Sequence, residues 1–202
     1  MSHMQQAIDN ANIETRIIYN RALVQLGLCA FRHGKMRDAH AALVDIQSSN
    51  RAKELLAQGL IINKNQERTP EEEREQKRRQ MPFHMNINLE LLEGAYLVSA
   101  MLNEVPYLAQ HEFDSKRRMI SKQFHHILRM AERNNLNAPP ENMRDHLVAA
   151  SKFMKLGDWR KCVGYTINDK LCKLIWSRFP KSEEVVEMLR QKIKEESLRT
   201  YS

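Results

Sequence analysis

The stretch from Met81 to Tyr107, MPFHMNINLELLEGAYLVSAMLNEVPY, limits the fold more than any other. Between Phe83 and Asn103 only Glu90 and Glu93 carry a formal charge. Leu89, Leu92, Tyr96 and Ala100 form one set at helical spacing, and Leu91, Ala95, Val98 and Leu102 form another. The two sets cover most of the circumference, so a helix here is packed on several sides. Asn86 or Asn88 caps its start, and Glu90 suits the positive end of the dipole. Val105-Pro106 predicts its end, because the residue before proline avoids helical angles. Gly94 in mid-helix costs about 1 kcal/mol against alanine and points to close approach of a neighbouring helix.

A helix covered on all sides needs partners, and the chain supplies amphipathic ones. From about Ile13 a helix carries Ile17, Ile18, Leu23, Leu26 and Ala30 and stops at Gly34. A second runs from about Arg37 to Ile46 with Ala39, Leu43 and Ile46 on one face. Asn50 caps a third bearing Ala52, Leu55 and Leu56. The first pair matches the spacing of a tetratricopeptide-type hairpin, with Arg51 where such repeats usually place proline. The hairpin recurs. AFRHGKMRDAH aligns with KFMKLGDWRKCV when Gly34 is laid on Gly157, and Ala39 then falls on Cys162. Trp159 falls between helices just past the second turn. Two copies predict a right-handed α-solenoid, since each helix pair needs neighbours to cover its apolar face. Ordinary hairpins with similar turns are the competing reading.

The remaining segments fill in this plan. Residues 63–79 read as a charged insertion: from Lys64 to Arg79 there are five acidic and six basic side chains and no large apolar one. Thr69-Pro70-Glu71-Glu72 is a capping box, and Glu75–Arg79 is a favourable i,i+4 pair. An amphipathic helix follows over residues 112–134. Ile120, Phe124, Ile127, Leu128 and Ala131 make its apolar stripe. At 100° per residue Arg118, Lys122, His125, Arg129 and Arg133 fall opposite. Four permanent cations on one face can lie along a phosphate backbone, and Arg118, Lys122, Arg129 and Arg133 are the candidate contacts with RNA or an acidic partner. Aromatics for base stacking are missing from that face, so sequence-specific single-strand reading is not indicated. A plain solvated face is the alternative. After the loop at residues 134–140 comes the second hairpin, then a short helix with Leu171, Leu174, Ile175 and Phe179. A last helix, capped by Ser182, carries Val186, Leu189 and Ile193. The chain stops at Thr200-Tyr201-Ser202 with no helix stop signal, which reads as truncation.

Composition narrows the function. Six glycines and six prolines in 202 residues, with almost no strand-like alternation, predict an all-α chain. The formal charge of +7 suits an acidic or nucleic-acid partner. Cys29, Cys162 and Cys172 are scattered and suggest reduced thiols in a cytoplasmic protein, with Cys29 a packed thiol in its hairpin. No apolar run is long enough for a membrane span, and no membrane partner is expected. The eight histidines give no metal spacing, and no P-loop, GxGxxG or GxSxG is present. No cofactor, no metal, no small-molecule substrate and no catalytic residue is expected.

Several long stretches carry a resemblance. Residues 19–60, 78–129 and 141–162, with KIKEESLRTY at 192–201, closely resemble the C subunit of eukaryotic translation initiation factor three. MPFHMNINLELLE and RRMISKQFHH are its most specific parts. The resemblance implies the helical-repeat part of a PCI domain, without its winged helix, in a single helical-repeat domain spanning residues 1–202. It implies a non-catalytic scaffold bound, with other subunits of that factor, to the small ribosomal subunit, its ribosomal RNA and its proteins. A free-standing basic helical module that binds RNA by itself is the alternative.

Overall fold

The structure, a computed structural model, describes residues 7–49, 51–59, 69–111, 118–133 and 139–199. Every regular element among them is helical. The α-helices are α1 (Ile13–Arg32), α2 (Met36–Ser48), α3 (Ala52–Leu55), α4 (Pro70–Arg78), α5 (Leu89–Gln110), α6 (Lys122–Arg133), α7 (Met143–Lys155), α8 (Trp159–Thr166), α9 (Asp169–Leu174) and α10 (Ser182–Arg199). Short 3₁₀ turns lie at Ile8–Asn10, Phe83–Met85 and Trp176–Arg178. Expectations for the first residues, for the Asn50 cap, for the start of the charged stretch, for the segments 112–117 and 134–138 and for Thr200-Tyr201-Ser202 fall outside the described residues.

α5 is the packing centre. It contacts α1, α2, α6, α7 and α10, and Leu92, Ala95, Leu97, Val98, Ala100 and Met101 are fully buried. Asn88 caps it, its Oδ1 accepting the Leu91 N–H at 2.9 Å. A Cβ at Gly94 would lie 3.1 Å from Ile175 Cγ2, so the close approach comes from the end of α9. Pro106 does not end the helix. It is buried inside α5, which runs another turn to Gln110. The missing Pro106 N–H costs on the order of 3 kcal/mol, and the apolar surface buried around residues 97–105 outweighs it.

The two hairpins, α1/α2 and α7/α8, turn identically. Gly34 and Gly157 have φ of 72° and 73°, a left-handed conformation that side chains disfavour. Gly34 N–H donates to Phe31 O and Lys35 N–H to Ala30 O, while Gly157 N–H donates to Met154 O and Asp158 N–H to Phe153 O. Each pair satisfies orphan carbonyls at the helix end. Ala39 and Cys162 are fully buried at equivalent positions. Gly27 permits the tight crossing of α1 and α2, since a Cβ there would meet Leu43 Cδ2 at 2.6 Å. Ile18 and Leu26, expected in this core, are exposed on the opposite side of α1.

α10 lies across the hairpins, against α5, α7 and α8. Its flank at Met188 and Lys192 meets the Gly34 turn. A cluster of rings joins the first hairpin to the last third of the chain. Phe31 stacks on Trp176 with centroids 5.8 Å apart and on Phe179 at 5.6 Å. Leu174, expected in that packing, is exposed. The charged helix α4 is exposed and carries the expected capping box. The chain that leads to it departs and returns at one place: Met81 N–H donates to Ala57 O at 2.8 Å, and the Gln58 amide exchanges two 2.8 Å hydrogen bonds with Ile87.

Candidate nucleic-acid interface

The basic row depends on how α6 is seated. The helix begins at Lys122, later than its sequence suggests, because the preceding N–H groups already have a partner. Glu104 reaches from α5, and its Oε2 accepts the N–H of Ile120 at 2.9 Å and of Ser121 at 2.8 Å. The Ser121 hydroxyl accepts the Phe124 N–H at 3.3 Å and meets the Tyr96 hydroxyl at 2.9 Å. Ile120 therefore lies ahead of the helix and is 40 % exposed, not part of its apolar stripe. Phe124 and Leu128 are the buried anchors.

His125 is likewise turned away from the outward row. Its Nε2 lies 2.7 Å from Glu104 Oε1, with the Glu104 side chain fully buried. One carboxylate thus takes three donors at the positive end of α6, which is what a buried charge requires. Two further rings, His40 and Tyr96, lie near it. His40 stacks on Tyr96 with centroids 5.1 Å apart. Burial holds the His40 pKa below the ordinary histidine value, opposed in part by the Glu104 charge. Burial likewise raises the Tyr96 phenol, opposed by its hydrogen bond to Ser121.

Lys122, Arg129 and Arg133 are exposed along α6, and Arg118 is exposed in the segment before it. Among the described residues none of the four lies within ion-pair reach of a carboxylate. His126 shares their face, Met130 sits beside it at 42 % exposure, and Glu132 is exposed on its flank. Such a strip presents one ammonium and three guanidinium groups, with no Phe, Tyr or Trp side chain among them. It can neutralise a phosphate backbone.

Among the described residues no group of three or more His, Cys, Asp and Glu side chains is placed to hold a metal ion. Cys29 is exposed, contrary to the expected packed thiol, with its Sγ 3.7 Å from His33 Nδ1. Burial pushes the Cys162 thiol up to about 12. No helix among the described residues is long and apolar enough to cross a membrane.

Residues 1–115 match the family described as the N-terminus of eukaryotic translation initiation factor 3 subunit 8. The chain belongs to this family. Curated relatives, each the C subunit of eukaryotic translation initiation factor 3, match it over 201 residues. Those of Xenopus tropicalis and Danio rerio are each 62 % identical, and that of Drosophila melanogaster is 56 % identical. Each alignment covers 100 % of this chain and 22 % of the relative, so the chain spans about a fifth of their length.

Glu104 was not legible as the side chain that seats α6. The available signal was a lone carboxylate next to a long uncharged helical stretch, followed by a helix rich in donors.

Proposed function

We propose that the chain is part of a non-catalytic scaffold subunit of eukaryotic translation initiation factor 3, bound in the cytoplasm to the small ribosomal subunit during initiation. Membership of the C-subunit family carries this reading. Residues 1–202 act as one helical-repeat domain, with 63–79 as a charged insertion, and the equivalent turns at Gly34 and Gly157 support a right-handed solenoid of the PCI type. The packed α-helices serve to hold surfaces in place for sister subunits and the ribosome.

Within that reading, Arg118, Lys122, Arg129 and Arg133 contact ribosomal RNA or an acidic sister subunit. Their exposure and lack of carboxylate partners among the described residues support this. Reversing Lys122, Arg129 and Arg133 to glutamate leaves helicity unchanged and weakens co-sedimentation with small ribosomal subunits, most visibly at low salt. If phosphates are the ligand, the slope of log affinity on log salt becomes shallower by roughly one for each phosphate no longer neutralised. Equal co-sedimentation at every salt concentration overturns the assignment. A free-standing RNA-binding module instead predicts equal affinity for isolated RNA and for the ribosomal subunit, and no recovery of sister subunits from lysate.

A further inference from the structure

We propose that Arg160 and Lys194, gathered on the indole ring of Trp159, form a second anion site that takes the phosphodiester backbone of RNA. The site lies between α8 and α10 and is separate from α6. It shares with the α6 assignment only the class of ligand.

The charge pairing of α10 singles out Lys194. Arg190 pairs with Glu187, Lys192 with Glu195 and Arg199 with Glu196, each across one helical turn. In the first turn of α8, Lys161 pairs with Asp158 at 3.1 Å, and its Nζ also lies 5.2 Å from the Phe153 ring. Among the described residues neither Arg160 nor Lys194 has a carboxylate within ion-pair reach. Both lie instead over the same ring, Arg160 Cζ at 5.6 Å and Lys194 Nζ at 5.5 Å from its centroid.

An indole ring attracts cations through its quadrupole but carries no net charge. Two like charges held on one ring still repel, and both are exposed. An anion that meets both cations relieves that repulsion. The Arg160 guanidinium offers a planar fork that suits phosphate oxygens, and Lys194 adds a second point charge from another helix. Trp159 is itself packed against the core, so the pair sits on a rigid base. Its ring is half-buried and already engaged by cations, so it serves as a platform for charge, not for base stacking.

The chain has two tryptophans. Trp176 is fully buried, its indole N–H donating to Thr166 O at 3.0 Å, and it supplies a constant background. Trp159 emission therefore reads the site directly. Titration of the full chain with a uridine 12-mer changes that emission. In the R160Q/K194Q chain the change disappears. The chain with Lys122, Arg129 and Arg133 reversed to glutamate keeps the emission change, whether or not the α6 row binds the ribosome. Helicity by circular dichroism is unchanged in both. The proposal is overturned if the oligonucleotide leaves the emission unmoved, or if R160Q/K194Q responds as wild type. Loss of the response in the α6-reversed chain overturns it by placing the RNA on α6. An equal or stronger response to an oligoglutamate of the same charge overturns it in favour of an acidic protein surface.

Discussion

Glu104→Ala should be among the most damaging single changes in the chain. The carboxylate is fully buried and takes the Ile120 N–H at 2.9 Å, the Ser121 N–H at 2.8 Å and His125 Nε2 at 2.7 Å. Charge-assisted hydrogen bonds contribute roughly 1.5–3 kcal/mol each, but they are not additive, and removing a buried carboxylate also removes its desolvation cost. What remains is the penalty of orphaned donors at the start of α6, and breaking such a buried arrangement costs about 3–5 kcal/mol. With a urea slope of about 2 kcal/mol/M, the unfolding midpoint falls by roughly 2 M. Glu104→Gln keeps an oxygen for the two backbone donors but loses the charge and the second oxygen that meets His125, so it falls between Glu104→Ala and wild type. Glu75→Ala, which removes an exposed partner of Arg79, serves as the control and shifts stability by no more than about 1 kcal/mol. The measurement is urea unfolding followed by circular dichroism on all four chains. If Glu104→Ala moves the midpoint no further than Glu75→Ala does, the idea that this carboxylate seats α6 is wrong.

Gly34→Ala and Gly157→Ala should each cost about 1–2 kcal/mol, because both turns need a left-handed backbone; denaturant midpoints that move at one site only would show that the turns are not equivalent. His40 is held below its ordinary pKa in the folded chain, so the unfolded chain takes up its proton first as pH falls. Stability at this site is present above a pH of about 6.5 and is lost as pH drops toward the lower folded value. Replacing His40 with phenylalanine keeps a ring on Tyr96 and should flatten the decline in thermal stability between neutral and mildly acid pH; an unchanged profile refutes the assignment.

Local rules carried much of the architecture. The Asn88 cap, the Thr69 capping box and the two glycine turns each depend on residues within a few positions of one another, so spacing alone exposes them. The buried centre of α5 follows from apolar residues at nearly every helical position. What escaped was long-range. Pro106 looks like a stop until the packing around it is known. His125 lies on the polar side of α6 by angle, yet it bonds to Glu104, 21 residues earlier. Arg160 and Lys194 look like ordinary surface cations, because the ring that unites them depends on how α10 crosses α8. The charged face of α6 was readable in outline, but its beginning was fixed by a side chain from another helix.

The stacked rings of Phe31, Trp176 and Phe179 set a schedule for synthesis. Phe31 is fully buried in the fold, and two of its ring partners are made about 150 residues later. At a translation rate of about 5–20 residues per second, those partners follow Phe31 by roughly 7–30 s. During that interval the first hairpin can form its turn but cannot cover this ring. A nascent chain paused before Trp176 should therefore present an apolar edge to chaperones, and one released after Phe179 should not.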